Sequence, residues 1–79
     1  MNVTDLKIGD IYYEPCPFDG KIYRHKIDEY TPDGRICAYY IEGGCYHNFD
    51  ISCIGLMLFA TYKEAESKLR EWRENDETD

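Results

Sequence analysis

The stretch that decides the fold is "RICAYYIEGGCYHNFD", residues 35–50. Two segments rich in β-branched and aromatic residues, 35–42 and 45–50, flank the dipeptide formed by Gly43 and Gly44. β-Branched and aromatic side chains favour strands, and glycine accepts the positive φ angles that tight hairpin turns require. The stretch therefore predicts a β-hairpin in the second half of the chain.

The alternation of strand and turn continues on both sides of this hairpin. Asp-Gly dipeptides at 19–20 and 33–34 mark two more tight turns. The predicted strands comprise residues 10–14, 21–30, 35–42, 45–50 and 56–59. Because Pro15 and Pro17 have no backbone N–H to donate to a sheet, we expect the first strand to end at them in a loop.

A helix follows the last predicted strand, and its start is marked by a capping box. In "TYKE", residues 61–64, Thr61 is a good N-cap and Glu64 stands three residues later. A stripe along one side of the helix is formed by Tyr62, Ala65, Leu69 and Trp72. The opposite side offers the i, i+4 ion pairs Glu64–Lys68 and Glu66–Arg70. The pattern predicts that Tyr62, Leu69 and Trp72 pack this helix onto the sheet.

Five short strands in meander order, followed by a helix, predict a small SH3-like barrel capped at one end by the helix. An open antiparallel sheet with one packed helix is the alternative. The chain of 79 residues is long enough for a single domain. We place that domain at residues 1–73. The last six residues hold four acids and no base, and 74–79 are expected to form a disordered acidic tail.

The charge balance narrows the class of partner. The chain has 16 acidic and 9 basic residues and a formal net charge of −7. Phosphate backbones repel such a chain, so nucleic acid is disfavoured as a partner. The acidity suits a basic protein partner, and it suits solubility equally well.

Nothing in the sequence predicts export or membrane insertion. The first ten residues hold Asp5 and Lys7 where a signal peptide requires an apolar run. No apolar run approaches the roughly 20 residues that span a bilayer. We therefore predict a cytoplasmic protein without membrane contact, whose cysteines are reduced.

Cys37, Cys45, His47 and Cys53 are the candidate metal ligands. In a strand, Cys45, His47 and Phe49 share one face, Cys37 lies on the neighbouring strand, and Cys53 comes from the following turn. His25 and Cys16 are possible substitutes. A structural zinc site usually takes paired ligands at C-x₂₋₄-C spacing, and this sequence has no such pair. We interpret the set as packing groups, and predict no metal and no cofactor.

A Cys–His catalytic pair is disfavoured by the same strand geometry. Catalysis requires a third group that orients the histidine, and Asn48 and Asp50 face away from His47 in a strand. The Gly-Gly turn also lacks the spacing and the lysine of a phosphate-binding loop. We predict that the protein is not an enzyme.

Tyrosines are the candidate contacts to a partner. Eight are present, and we single out Tyr13, Tyr30, Tyr40 and Tyr46, because tyrosine is enriched at protein interfaces. The alternative is that these rings are buried in a sheet covered on both faces. The one basic patch, "KIYRHK" at 21–26, puts Arg24 and Lys26 on one face, where Glu29 and Glu42 are available to neutralise them.

The stretch "FDISCIGLMLFATYKEAESKL", residues 49–69, resembles the C-terminal part of small uncharacterised proteins from phages and mobile elements of gut Firmicutes. Those proteins begin with "GD-x-V/I-Y" and end with "D-I/F-G-K-x-V-F-L-T-x-E-E-A-E-x-x-L". The matching residues here are Gly9, Asp10, Tyr12, Asp50, Gly55, Phe59, Thr61, Glu64, Ala65, Glu66 and Leu69. The segment "ISCIGLML" departs from that pattern, being longer and less polar. The resemblance implies an accessory protein with no assigned chemistry.

Together these observations predict a non-catalytic protein-binding accessory protein of phage or mobile-element type. Its partner is expected to be basic, and the sharpest form of the prediction is an inhibitor of a host defence nuclease, as anti-CRISPR proteins are. The alternatives are a small structural zinc-binding domain and a nucleic-acid-binding barrel that uses Arg24 and Lys26. A homodimer through an edge strand is also compatible with so small a core.

Overall fold

A computed structural model describes residues 6–77, with side chains to residue 74. Four antiparallel strands form one sheet in the order β1-β2-β3-β4. They are β1 (Ile11–Cys16), β2 (Lys21–Tyr30), β3 (Arg35–Tyr40) and β4 (Cys45–Asp50), and a short 3₁₀ helix (Ile51–Cys53) and helix α1 (Tyr62–Glu77) follow. The prediction of a mainly β chain with one C-terminal helix is confirmed.

The predicted five-strand barrel is wrong: within residues 6–77 the sheet has four strands and stays open. The segment predicted as the fifth strand, 56–59, is wound into turns, because the carbonyl of Cys53 accepts the N–H groups of Leu56, Met57 and Leu58. Only Phe59 extends far enough to pair with β1. It exchanges two backbone hydrogen bonds of 2.8 and 2.9 Å with Tyr13. The fold is the alternative, an open antiparallel sheet with one helix.

The first strand passes Pro15 and ends at Cys16, immediately before Pro17, so the predicted end at these prolines is confirmed at the second of them. Tyr13 bonds to Phe59 on the side of β1 that faces away from β2. Since N–H groups alternate between the two sides of a strand, Pro15 also faces away from β2, and its missing N–H costs no ladder bond. Strand β1 therefore runs through Pro15 to Cys16, paired with Lys21.

The inner face of the sheet carries the main core. Tyr12, Ile27, Ile36 and Ala38 are buried there and pack with Leu6 and Leu58. The 3₁₀ segment covers them, with Phe49, Ile51, Cys53 and Ile54 partly buried against the cluster. The first turn of this segment is held by Asp50, whose carboxylate accepts the N–H of Ser52 at 2.9 Å. That hydrogen bond is the main reason why the pKa of Asp50 is lowered.

Helix α1 packs on the opposite, outer face, with contacts concentrated on β1 and β2. Ala65 and Leu69 are buried and Trp72 is half-buried. Tyr62 is 54% exposed, although its ring meets Tyr13 edge-on at 5.9 Å. The predicted packing through Leu69 is confirmed, while Tyr62 lies at the rim.

Thr61 caps the helix as predicted: the Glu64 N–H donates to Thr61 Oγ1 at 3.2 Å, and the Glu64 carboxylate accepts from the Thr61 hydroxyl at 2.9 Å. Because Glu64 is engaged at the cap, Lys68 pairs with Glu71 at 3.6 Å instead of with Glu64 as predicted. The predicted Glu66–Arg70 pair is found, at 3.9 Å.

The backbone of α1 continues to Glu77, which is four residues into the segment predicted as a tail. The last two residues lie outside the described part of the chain. The division into a domain at 1–73 and a tail at 74–79 stays a prediction. Within residues 6–77, no helix is both long and apolar enough to cross a membrane.

Leu69→Ala should destabilise the domain by about 2–5 kcal/mol, because it opens a cavity between α1 and the sheet. The neighbouring Arg70→Ala is the control, and it should change the free energy of unfolding by less than about 0.5 kcal/mol at this exposed position. Urea unfolding followed by circular dichroism measures both. Equal effects would show that the helix does not depend on this contact.

Candidate functional site

The inner face holds a cluster of aromatic and imidazole rings beside the core, centred on His25. His25 is fully buried, and its ring stacks on Tyr40 at 5.3 Å and meets Phe49 edge-on at 5.0 Å. His47 lies 5.9 Å from His25 and 5.2 Å from Tyr40, measured between ring centroids. Strand register produces the cluster, because Tyr40 pairs with His25 on one side and with Cys45 on the other. We call these four rings the inner ring cluster.

Glu14 provides the polar partner of the buried imidazole. Its Oε1 lies 2.8 Å from His25 Nε2, and the Glu14 side chain is largely buried as well. The second ring nitrogen of His25, Nδ1, is buried and has no hydrogen-bond partner among the described residues. A buried polar atom without a partner costs stability, so His25 is held in place mainly by packing and by Glu14.

Gly43 lets Tyr40 lie flat on the β3–β4 turn. The predicted strand over 35–42 ends at Tyr40, and residues 41–44 form the loop, in which Gly44 has a φ of 68°. A Cβ atom added to Gly43 would overlap the Tyr40 ring. Burial is the main cause of the raised pKa of Tyr40, followed by the nearby charge of Glu42.

Gly43→Ala should push the Tyr40 ring off His25 and destabilise the domain by about 1–3 kcal/mol, the usual cost of overpacking. The same change in a Tyr40→Ala background should cost much less, since the ring that it strikes is gone. A double-mutant cycle by urea unfolding measures the coupling. Additive effects would mean that the ring and the turn are not in contact.

A hydrogen bond between Tyr23 and Asp19 closes the hairpin formed by β1 and β2. The Tyr23 hydroxyl donates to one carboxylate oxygen of Asp19, and the Lys21 N–H donates to the other at 3.0 Å. The hydrogen bond to Asp19 raises the pKa of Tyr23 to about 12, and the hydrogen bond from Tyr23 is the main reason why the pKa of Asp19 is lowered. Tyr23 also meets Tyr40 edge-on at 5.6 Å, which links the hairpin to the inner ring cluster.

Asp19→Asn should bring the pKa of Tyr23 back towards its ordinary value of 10.0. The raised pKa means that the bond stabilises the fold fully below pH 10.0 and that this contribution is lost as the pH rises towards about 12. Ultraviolet titration of tyrosinate follows the change, with Tyr23→Phe identifying the signal. An unchanged titration curve in the Asp19 variant would contradict the assignment.

The structure does not bring the four candidate metal ligands together. Cys45 and His47 share the inner face, with Cys45 Sγ at 3.5 Å from His47 Nε2. Cys37 pairs with Asn48, whose side chain points to the outer face, so Cys37 is on the wrong side of the sheet. Cys53 packs against the core. Among the described residues, no group of three or more His, Cys, Asp or Glu side chains could hold a metal ion, and all four cysteines are free.

The four tyrosines predicted to contact a partner lie in different surroundings. Tyr40 belongs to the inner ring cluster, and Tyr13 is half-buried beside α1. Tyr30 is 37% exposed at the end of β2, beside a hollow of about 300 Å³. Tyr46 is 61% exposed on the outer face of β4 and meets Tyr39 edge-on at 5.2 Å. The four therefore do not form one surface.

A row of side chains crosses the outer face beyond the main helix contacts. Register places Ile11, Lys26, Tyr39 and Tyr46 side by side on β1 to β4. Ile11, Lys26 and Tyr46 are exposed, and Tyr39 is half-buried. We call these four residues the outer row. In the adjacent row, Arg24 is neutralised by Glu42, with the Nε and Oε2 atoms 3.0 Å apart, as the sequence suggested.

Two features of the surface escaped the sequence analysis. Phe18, at the tip of the first hairpin, is 97% exposed. A hollow of about 410 Å³ lies along α1 and is lined by Phe59, Thr61, Lys63, Glu64, Ser67, Lys68 and Glu71. It contains no histidine or cysteine and lies apart from the inner ring cluster. Composition alone gives no signal for either feature, because both depend on which elements pack together.

Comparison with family models, with curated proteins and with solved structures finds no match to this chain. The resemblance to phage and mobile-element proteins therefore stays a prediction.

Proposed function

We propose that this protein is a non-catalytic protein-binding module of phage or mobile-element type. The observation that carries the proposal is the outer row, where Tyr39 and Tyr46 present a pair of rings on the part of the sheet away from the main helix contacts. Tyrosine pairs offer a large contact area with a polar tip and few rotatable bonds, and interfaces use them for that reason.

The acidic side chains that support a basic partner lie at the opposite end of the sheet from the β3–β4 turn beside Tyr39 and Tyr46. Residues 27–34 hold Asp28, Glu29 and Asp33 and no base, and all three acids are exposed at the β2–β3 end of the sheet. Tyr30 lies among them. Acidic side chains around an exposed ring attract a cationic surface and raise its association rate. In the sharper form of the proposal, the partner is a host defence nuclease whose nucleic-acid groove this acidic surface occupies.

We place this activity in the cytoplasm, in keeping with the four free cysteines. Catalysis is left out of the proposal because of where the one Cys–His pair lies. Cys45 and His47 are close to each other but lie on the exposed inner surface of an edge strand. Neither side chain lines the hollow of about 410 Å³ along α1 or the hollow of about 300 Å³ beside Tyr30.

The test is capture from a bacterial lysate with three immobilised baits: the wild type, Tyr46→Ala and the control Phe18→Ala. Phe18 is more exposed than Tyr46, so if capture depended on unspecific apolar contacts, Phe18→Ala would reduce it more than Tyr46→Ala. We expect a defined protein that the wild type and the Phe18 variant retain and that the Tyr46 variant loses at least tenfold. Raising the salt concentration should release that protein.

Retention of the same proteins by all three baits would overturn the assignment to the outer row. Retention that does not change between low and high salt would overturn the basic partner. If the wild type captures nothing above an unrelated acidic bait, the proposal of a protein-binding module fails.

A further inference from the structure

The two edges of the sheet are treated differently. Along the edge of β1 that faces away from β2, Tyr13 is hydrogen-bonded to Phe59, and Pro15 has no N–H to donate. Strand β4 has neither proline nor lysine, and five of its six residues are exposed. Proteins usually block a free edge with such devices because an unpaired strand is a template for another strand. In the described chain β1 is blocked and β4 is not.

The backbone groups that β4 leaves free follow from the hydrogen bonds of β3. The carbonyl of Arg35 accepts a bond from Thr31 on the β2 side, and that of Gly34 accepts one from Ile51 on the β4 side. Even-numbered residues of β3 therefore face β4, where Ala38 pairs with His47. Odd-numbered residues of β4 bond to β3. The N–H and C=O groups of Tyr46, Asn48 and Asp50 point to the open edge.

We propose that the open edge of β4 pairs antiparallel with the same edge of a second copy of this chain, forming a two-fold dimer with one continuous sheet. The register that pairs all three outward residues within the strand sets Asn48 opposite Asn48 of the second copy. It also sets Tyr46 opposite Asp50 of the second copy. This inference goes beyond the proposed function and does not depend on it.

The side chains of β4 are complementary to themselves in this register. On the outer face, the Tyr46 hydroxyl meets a carboxylate, and the two Asn48 amides can bond to each other. A hollow of about 240 Å³ is lined by Arg35, Asn48, Phe49 and Asp50. In this register Tyr46 of the second copy stands opposite Asp50, so we expect its ring to meet that hollow. On the inner face, His47 stands opposite Phe49 of the second copy, which extends the inner ring cluster across the interface.

Charge does not prevent the contact, although the chain carries −7 overall. Asp50 is the only charged residue of β4, and Arg35 stands directly across from it on β3. The remaining repulsion between the two acidic copies is long-range, so added salt should weaken it and strengthen the dimer. That response is opposite to the one expected for a basic partner, so the two proposals can fail separately.

Sedimentation velocity over a concentration series tests the dimer with two matched variants. Asn48→Pro removes an N–H that points to the open edge and leaves every bond between β4 and β3 in place. Pro15 has the same position on β1, where its missing N–H faces away from β2. Asn48→Ala keeps the N–H and is the control. We expect wild type and Asn48→Ala to sediment at twice the monomer mass of 9.3 kDa, and Asn48→Pro as a monomer. Circular dichroism should show that both variants keep the wild-type fold.

A cysteine placed on the two-fold axis tests the register. In a background with both Cys37→Ser and Cys45→Ser, which removes the thiol that faces residue 48 within the same chain, Asn48→Cys should give a disulfide-linked dimer on mild oxidation. Cα atoms about 5.5 Å apart suit a disulfide. Asp50→Cys is the control and should not cross-link, since the two Asp50 residues lie at opposite ends of the paired strands.

Three results would overturn the proposal. They are a wild-type monomer throughout the concentration series, a folded Asn48→Pro variant that still dimerises, and cross-linking at residue 50 in preference to residue 48. A wild-type monomer that instead bound an extended peptide along β4 would assign the edge to a different partner. If Asn48→Pro is unfolded, the cross-linking pair alone decides.

Discussion

The structure depends on how little of the chain is available to cover a sheet that has two apolar faces. A four-stranded sheet is stable only when at least one face is removed from water. The inner face is covered by the short segment around the 3₁₀ helix, with Leu58 inserted into the core. The outer face is covered by α1 through Ala65 and Leu69, mainly over β1 and β2. On the outer face the helix covers β1 and β2 but not the other end of the sheet, and β4 is left as an exposed edge strand.

This uneven cover explains the character of the exposed surface. At the β1 edge, Tyr13 is already paired with Phe59 and Pro15 has no N–H, so few backbone groups are free to pair with another strand. At the β4 side, backbone groups, Tyr46 and the outer row face solvent together. Both proposals therefore concern the same side of the molecule, one through its side chains and the other through its backbone. A dimer through β4 would also bring two outer rows into one sheet.

The inner ring cluster shows how a polar group is accommodated in so small a core. His25 is buried among the rings of Tyr40, Phe49 and His47, and Glu14 from β1 meets its Nε2. The stacking ring of Tyr40 depends in turn on the absence of a side chain at Gly43. Cys45 and His47 are neighbours because they stand two residues apart on one strand, and no chemistry is required to explain the contact.

Turn residues and hydrophobic periodicity predicted most of the local structure. Residues 21–30 and 45–50 form strands with the predicted bounds, and the capping box at Thr61 starts the helix. The sequence could not show that Pro15 would be harmless, because that depends on which side of β1 has a partner. It also could not show that the Cys53 carbonyl would wind the predicted fifth strand into turns.

The sequence by itself determined where strands, turns and the helix lie, since these follow from backbone preferences and from side-chain periods within a few residues. Only the tertiary structure decided that the sheet stays open, that Cys37 is separated from Cys45 and His47, and that His25 is buried. The separation of the cysteines depends on strand register, which is fixed by contacts between residues that are distant in the chain. The open sheet depends on how the segment after β4 folds into turns, and the burial of His25 depends on the rings that pack around it.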